Sequence, residues 1–387
     1  MVMRKAPLLI VMCVSLTLLV ACGGKGDEPE FPHDEPARRT VLVYMVADNS
    51  LGTNGRDLED IDEMAEAVKA NGLNGCNVVV YHHARGQAPE LKRFDADGTL
   101  SSVKVYPYDN TTFSTDSSRM EQVIADTRRL APSRELGMVL WSHGDGWVNQ
   151  RGRGPQRSFG DDRSRSMKVT TLAGVLGDEN LCFLYFDCCH MATIEVVYEL
   201  RRAAPVIVGS VSELPAEGMP YQRNIPVFTA DVPDMAQAAR NTFEYYDELP
   251  GSHRTCTICV VNTAALDKLA TATRRIMALS PATPSRGDVQ RFMVSSSTCT
   301  LYDLAHFIDL TDCPVEIKDS WHAALDEAVM YRAATPWVWD MLAIDHHCGL
   351  GTYVLESPQE AYYRGYDTLA WWRDVVSANA NFSQDIQ

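Results

Sequence analysis

The sequence predicts an α/β fold with a mainly parallel central sheet and helices on both faces. Short apolar runs alternate with segments whose apolar residues recur at helical spacing, which is the pattern of parallel βα units. The first run, residues 40–47, is continuously apolar, as expected for a strand buried on both faces. Ligands of such sheets bind beyond the carboxyl ends of the strands, so the residues that follow each strand are the candidates for function.

The predicted elements follow one another in a regular order along the chain. The predicted strands cover residues 40–47, 77–82, 137–141, 182–186, 205–209 and 255–261, and a hairpin covers residues 91–106 around Ala96-Asp97-Gly98. The predicted helices cover residues 55–70, 120–130, 192–202, 234–248 and 264–279. In the helix over residues 55–70, the spacing points Leu58, Ile61, Ala65 and Val68 toward the core.

Composition excludes several classes of protein. The chain has 387 residues, and its 45% hydrophobic content is that of a folded domain with a sizeable core. Lys and Arg number 35 against 51 Asp and Glu, for a formal net charge of −16. A chain this acidic is a poor candidate for general nucleic-acid binding, so we expect no nucleic-acid partner.

The first residues read as an export signal. A short basic region precedes an apolar run over residues 8–20, which is too short to span a bilayer and has the length of a signal-peptide core. The run ends in Leu19-Val20-Ala21-Cys22, which resembles the bacterial lipobox. Residues 1–21 are therefore predicted to be a lipoprotein signal peptide, with Cys22 acylated. The alternative is an ordinary secretory signal cut near Ala21.

Residues 22–39 are rich in Gly, Pro and charge and read as a flexible tether. A tether behind a lipid holds a folded domain at a membrane surface outside the cytoplasm. The predicted location is therefore the cell envelope, at the outer membrane or cell surface, with the membrane contacted through the lipid on Cys22.

Two predicted strand ends carry residues suited to nucleophilic catalysis. The strand over residues 137–141 runs into His143 and Gly144, and the strand over residues 182–186 runs into Cys188 and Cys189, opening at once into a helix. A thiol at a helix N-terminus has a lowered pKa, and the free amides of that turn can hold an oxyanion. One strand end thus offers a base and the other a nucleophile. Taken singly, each residue is more often structural.

Together these segments resemble the clostripain family of cysteine peptidases, which is related to caspases, gingipains and legumains. The resemblance is carried by residues 44–51, 141–147, 187–191 with Glu195, 212–221, 301–304 and 349–353. It implies a caspase-like α/β/α sandwich with C-terminal α/β additions, forming one peptidase domain over residues 40–375 and followed by a tail over residues 376–387. It also implies a monomer or a processed two-chain form.

The resemblance implies the roles of three site residues. His143 becomes the dyad histidine and Cys189 the nucleophile, with the oxyanion held by the amides of Gly144 and Cys189. Cys188 stands where the family usually has alanine, so it is a rival nucleophile. Alternation along the strand favours Cys189, two positions after the aspartate.

Specificity for a basic residue is implied by Asp187. Its carboxylate can line the S1 pocket and pair with a substrate Arg or Lys. The structural alternative is an N-cap of the following helix. Glu213 is a second S1 candidate, and its alternative is a solvated loop acid. The expected partners are therefore protein or peptide substrates with Arg or Lys at the cleavage site.

The basic segment over residues 148–169 is predicted to be exposed and mobile, and the resemblance makes it a self-cleavage segment. Its alternative is a basic loop that is never cut. The candidate cleavage residues are Arg151, Arg153, Arg157, Arg163, Arg165 and Lys168.

No cofactor is expected to be required. Some relatives need Ca²⁺, for which Asp48 and Asn49 at the end of the first strand are weak candidates. The same two residues can instead orient the site or cap the next helix. The sequence leaves two rival functions open: an inactive surface-binding lipoprotein of the same fold, and a related peptidase specific for acidic or Asn residues.

Overall fold

The computed structural model describes residues 36–148, 158–280, 282–295 and 299–378. The signal peptide, Cys22 and the tether up to residue 35 lie outside the described residues, as do residues 379–387 of the tail and the candidate cleavage residues Arg151, Arg153 and Arg157. Within the described ranges, no helix combines the length and the apolar character needed to cross a membrane.

The described chain contains fifteen strands and twelve α-helices. The strands are β1 (Ala37–Val46), β2 (Asn77–His83), β3 (Glu90–Phe94), β4 (Leu100–Val105), β5 (Ser133–Trp141), β6 (Phe159–Asp162), β7 (Arg165–Met167), β8 (Phe183–Asp187), β9 (Val206–Gly209), β10 (Thr257–Asn262), β11 (Tyr302–Asp303), β12 (Val329–Ala334), β13 (Trp337–Val338), β14 (Leu342–Ala343) and β15 (Gly351–Thr352). The helices are α1 (Ser50–Thr53), α2 (Arg56–Asn71), α3 (Ser117–Leu130), α4 (Val169–Leu176), α5 (Ile194–Glu199), α6 (Tyr221–Phe228), α7 (Met235–Asp247), α8 (Leu266–Leu279), α9 (Leu304–Asp309), α10 (Val315–Ala328), α11 (Pro358–Arg364) and α12 (Ala370–Asp374).

Nine of these strands form the central sheet, in the order β12-β10-β9-β8-β5-β1-β2-β3-β4. The five central strands from β9 to β2 are parallel, while β10 and β12 on one side and β3 and β4 on the other are antiparallel. The predicted hairpin over residues 91–106 is present as β3 and β4. The mainly parallel sheet therefore has the predicted centre, and antiparallel strands close both of its edges.

Helices cover both faces of the sheet because consecutive residues of a strand point to opposite sides. Odd-numbered residues of β1, Val43 among them, pack in one core with α2, α6 and α7. On the other face, Tyr44 donates a hydrogen bond to the carbonyl of Ser114 just before α3. Thr40 donates to the carbonyl of Ala131 just after that helix.

Strand β1 begins at Ala37, three residues before the predicted start. The reason is Arg39, whose guanidinium donates to the carbonyls of Phe228 and Ala230 and pairs with Glu135. A charge with such partners can be buried at a strand end that its composition would assign to the tether.

Helix α2 corrects one inward-facing assignment. Ile61 and Val68 are buried as predicted, but Leu58 is 56% exposed, while the acids Asp57 and Asp60 are buried. Asp57 lies 2.7 Å from His82 Nε2, and Asp60 accepts a hydrogen bond from the Trp141 indole. The helix is thus turned so that acidic groups with specific partners, rather than Leu58, face the sheet.

The segment predicted to be a mobile loop contains ordered structure in its described part. Residues 159–167 form the hairpin β6–β7, in which Phe159, Asp162 and Met167 are buried. Burial of the first and last of these explains why the hairpin packs onto the domain. The prediction of general exposure is therefore wrong for this part of the segment.

All nine cysteines of the described chain are free thiols. Cys256 and Cys259, which are spaced like a metal or redox motif, are both fully buried where β10 begins and runs through the core. They act as small apolar core residues.

The register of β5 against β8 generates a stability prediction. Gly137 pairs with Phe183 across these strands, and a Cβ at position 137 would lie 2.3 Å from the phenylalanine ring. We expect Gly137→Ala to lower the free energy of unfolding by about 1–3 kcal/mol, measured by urea denaturation.

The matched control is Gly174→Ala in α4, where a Cβ meets nothing within 4 Å. That change should raise the free energy of unfolding by about 0.5–1 kcal/mol, because alanine is the better helix former. Wild-type stability of Gly137→Ala would contradict the observed register.

Candidate active site

The site lies where two neighbouring parallel strands end. Strands β5 and β8 are paired in a register that sets Trp141 opposite Asp187. His143 and Cys189 each follow their paired residue by two positions. The two motifs, more than forty residues apart in sequence, therefore emerge side by side at one edge of the sheet.

These strand ends open into one cleft of about 350 Å³. The predicted residues His143, Gly144, Asp187, Cys189 and Glu213 all line it. The structure thus brings the whole predicted dyad, oxyanion and S1 set together in a single cleft.

The two adjacent cysteines occupy different environments. Cys188 is 3% exposed, and its thiol points to the carbonyl of Leu140 at 3.5 Å. Cys189 is partly exposed, and its Sγ accepts a hydrogen bond of 3.4 Å from the amide of Leu214. Both cysteines line the cleft, and the greater exposure of Cys189 favours it over Cys188 as the nucleophile.

The predicted helix N-terminus at Cys189 is absent. Helix α5 begins at Ile194 and is capped by Thr193, and His190 adopts a left-handed conformation with φ of 62°. The reason is that the amides of His190 and Ala192 bond to the carbonyls of Ser212 and Ser210 instead of starting a helix.

Without a helix dipole, the thiol of Cys189 is not activated by its own backbone. Burial raises its pKa to about 12, partly offset by the hydrogen bond from the Leu214 amide. A thiol in this setting needs a partner base to become a thiolate at neutral pH. His143 lines the same cleft and is the candidate for that base.

Gly144 is placed where only glycine fits. A Cβ there would lie 2.6 Å from the carbonyl oxygen of Cys189 and 3.1 Å from Cβ of Cys188.

The residues on either side of Gly144 are hydrogen-bonded to the segment over residues 158–160. The Asp145 amide donates to the carbonyl of Ser158, and the Gly160 amide donates to the carbonyl of His143. Within the described chain, the Gly144 amide itself has no hydrogen-bond acceptor. It is available to bind a developing oxyanion.

Asp187 lies buried in the floor of the cleft. Its carboxylate accepts hydrogen bonds from the Met219 amide and the Tyr221 hydroxyl, both at 3.0 Å. Because α5 begins seven residues later, the alternative role of Asp187 as a helix cap is excluded. Burial raises the pKa of Asp187 to about 7, against these two stabilising hydrogen bonds.

A second buried acid, Asp60, stands behind Asp187. A Cβ on Gly218 would lie 3.0 Å from Asp187 Oδ2 and 3.3 Å from Asp60 Oδ2. Both carboxyl groups therefore lie close to the backbone of Gly218. Burial, and then the charge of Asp187, raises the pKa of Asp60 well above its usual value. One feature of the sequence pointed to Asp60, an acid at a core position of a helix.

Glu213 is held at the side of the cleft by a tryptophan that sequence analysis missed. Trp339 Nε1 donates to Glu213 Oε2 at 2.5 Å, which excludes a freely solvated loop acid. Trp339 also lines the cleft, although its spacing in sequence suggests ordinary packing. It sits in the turn between β13 and β14 with φ of 56°, a strained conformation for a bulky residue and one concentrated at functional sites.

The two weak calcium candidates have separate roles in the fold. Asn49 caps α1, its side chain accepting from the Leu51 amide. Asp48 accepts from the Gly86 amide and the Tyr108 hydroxyl.

His83 and Asp162 lie near Asp48. A carboxylate oxygen of Asp48, a ring nitrogen of His83 and a carboxylate oxygen of Asp162 are all within 4.8 Å of one another, a grouping that could hold a metal ion.

Arg163 already supplies a positive charge to that buried group. Its Nε lies 2.8 Å from Asp162 and 3.7 Å from Asp48.

Two other candidate cleavage residues lie within the described ranges. Arg165 stacks on the ring of Phe113 at 3.9 Å, and Lys168 is exposed just before α4.

Comparison with known proteins shows the family of the chain. The clostripain family model matches residues 43–382. The chain belongs to the clostripain family. No curated protein sequence matches this clostripain-family chain at a significant level.

Solved structures of C11 proteases are similar to it over nearly their full length. An inactive zymogen C11 protease from Parabacteroides distasonis is 27% identical with a TM-score of 0.77, over 89% of this chain and 99% of that one. A secreted C11 cysteine protease from Bacteroides thetaiotaomicron, in complex with an irreversible peptide inhibitor, is 27% identical with a TM-score of 0.75 over the same shares.

These matches confirm the predicted family and the predicted caspase-like α/β fold. They also establish the enzyme class: this clostripain-family chain is a cysteine peptidase, a hydrolase whose substrates are peptides or proteins.

Proposed function

We propose that this cysteine peptidase is an endopeptidase that cleaves after Arg or Lys, with Cys189 as nucleophile and His143 as base. The observation that carries the proposal is the buried carboxylate of Asp187 in the floor of the cleft that also holds Cys189. A buried acid without a cationic partner is costly, and a guanidinium or ammonium group of the substrate would supply that partner.

The chemistry follows from the placement of the groups. His143 accepts the thiol proton as Cys189 Sγ attacks the carbonyl carbon after the basic residue. The amides of Gly144 and Cys189 bind the oxyanion. His143 then gives its proton to the leaving amine, and water hydrolyses the acyl-enzyme to release the acid and restore the thiol. None of these steps calls on a cofactor.

A substrate Arg should bind the buried carboxylate more strongly than a substrate Lys. A guanidinium can form two parallel hydrogen bonds with one carboxylate, whereas an ammonium group acts as a point charge. Glu213, fixed by Trp339 at the side of the cleft, adds a second negative group. We therefore rank Arg above Lys.

Self-cleavage and anchoring complete the proposal. A peptide bond must lie extended in the cleft to be cut, and the residues paired in β6–β7 would first have to separate. The guanidinium of Arg163 is also bound by the carbonyls of Asp109 and Thr112. We therefore place processing at Arg151, Arg153, Arg157 or Lys168 rather than in the hairpin.

Lipid on Cys22 would hold the peptidase at the cell envelope outside the cytoplasm. The lipobox-like sequence and the Gly- and Pro-rich stretch behind it support this location.

Hydrolysis of matched fluorogenic peptides ending in Arg, Lys, Asp, Asn or Ala tests the specificity. Protein lacking residues 1–22 should turn over the Arg and Lys peptides only. Cys189→Ala should abolish turnover, whereas Cys188→Ala, which removes a thiol outside the chemistry, should retain it. Turnover of the Asp or Asn peptide instead would contradict the basic pocket.

The raised pKa of Asp187 predicts a pH-dependent Michaelis constant. Below pH 7 the carboxyl group is largely protonated and neutral, and above it the group is ionised and attracts the substrate cation. KM for the Arg peptide should therefore fall about tenfold between pH 6 and pH 8.

Asp187→Asn, which keeps the size of the side chain without its charge, is the control. Its KM should be high and should lack this fall. A wild-type KM that is flat across the same range would show that Asp187 does not bind the substrate cation.

A further inference from the structure

The turn that follows β1 is pressed against the end of that strand. Helix α1 is a single turn over Ser50–Thr53. A Cβ on Gly52 would lie 2.0 Å from the carbonyl oxygen of Ala47, so only glycine allows this approach. The first residue of the turn, Ser50, contacts His143, which lines the cleft.

Ser50 touches the base. Its Oγ lies 2.8 Å from Nε2 of His143, a normal hydrogen-bond distance. Ser50 is 93 positions away in sequence and is itself exposed, so neither the motif around His143 nor burial signals the contact.

One asparagine fixes both partners of this bond. The side-chain oxygen Oδ1 of Asn49 caps α1 by accepting from the Leu51 amide, while its Nδ2 donates to the carbonyl of Val46 at 2.8 Å and to Ser142 Oγ at 3.3 Å. Ser142 in turn donates to the same Val46 carbonyl. The residues preceding Ser50 and His143 are thus tied to one point at the end of β1.

A histidine base works only in one tautomer, and a third group commonly selects it. We propose that Ser50 is the positioning residue of His143, an inference that rests on the proposed Cys189–His143 mechanism. The Nε2–H of His143 donates to Ser50 Oγ. Nδ1 is then the nitrogen that takes the thiol proton of Cys189 and later gives it to the leaving amine.

This bond serves both protonation states of the base. Neutral His143 donates through Nε2–H, and after proton uptake the imidazolium donates through the same hydrogen to the same oxygen. No proton moves to Ser50, so the serine orients the ring and favours the charged form without joining the chemistry.

Kinetics of Ser50→Ala test this role. The turnover number on the Arg peptide should fall about tenfold or more, because an unheld imidazole samples unproductive tautomers and rotations. KM should stay unchanged, since Ser50 does not hold the substrate. Ser50→Thr, which restores a hydroxyl at the same atom, should recover most of the turnover number.

Thr53→Ala is the matched control. It removes a hydroxyl from the same turn, where Thr53 Oγ1 donates to the carbonyl of Asn49 and accepts from the guanidinium of Arg85. Thr53→Ala should keep the wild-type turnover number. An equal loss in both alanine variants would assign the effect to the stability of the turn and overturn the proposal.

Two further results would also overturn it. A higher turnover number in Ser50→Ala would mean that Ser50 blocks the reactive nitrogen, and failure of Ser50→Thr to rescue the turnover number would exclude a hydroxyl-specific role.

Alkylation of Cys189 by iodoacetamide, followed by mass spectrometry, tests the same bond without a substrate. It should be slower in Ser50→Ala than in Thr53→Ala, even if the wild type proved to cleave no peptide and the proposed specificity failed.

Discussion

The pairing of β5 with β8 is the constraint on which the site depends. Their parallel register sets Trp141 opposite Asp187, and it delivers the histidine of one strand end and the thiol of the other into one cleft. A shift of one residue would turn each following side chain to the other face of the sheet. The catalytic arrangement is therefore a property of strand register before it is a property of any single side chain.

The electrostatics of the cleft follow from burial rather than from helix dipoles. Burial is the largest influence on both Cys189 and Asp187, and it raises the pKa of each. Both groups are thus held in their uncharged forms more strongly than in water, and an opposite partner favours the ionised form of each. In the proposed mechanism, that partner is His143 for Cys189 and the cation of a substrate for Asp187. In a site built in this way, binding of a cationic substrate favours the ionised form of the buried acid further.

The sequence predicts best what is local to a strand end. His143 with Gly144, and Asp187 with Cys189, stand within a few residues of apolar runs that can be recognised alone, and the sheet brings them together. The helix start after Cys189 was predicted wrongly because the carbonyls that bind its amides belong to residues 210 and 212, which no local pattern reveals. Leu58 was predicted wrongly because buried acids displaced it.

The contacts that Trp339 and Ser50 make with site residues could not be predicted from the sequence. Trp339 lies in a strained turn of the C-terminal part, and Ser50 is exposed on a single helical turn. Their roles arise from tertiary contacts with Glu213 and His143, and their composition and spacing resemble those of ordinary packing or surface residues. The hairpin over residues 159–167 was missed for a similar reason: its composition is polar, and its order comes from a few buried side chains.

The most direct test of the account is to capture the nucleophile with an irreversible peptide inhibitor ending in Arg and to locate the adduct by peptide-mapping mass spectrometry. The account predicts one adduct per chain, on Cys189, formed far faster than with a matched inhibitor ending in Ala. An adduct on Cys188, or equal rates for the two inhibitors, would contradict the assignment of the nucleophile or of the basic pocket beside it.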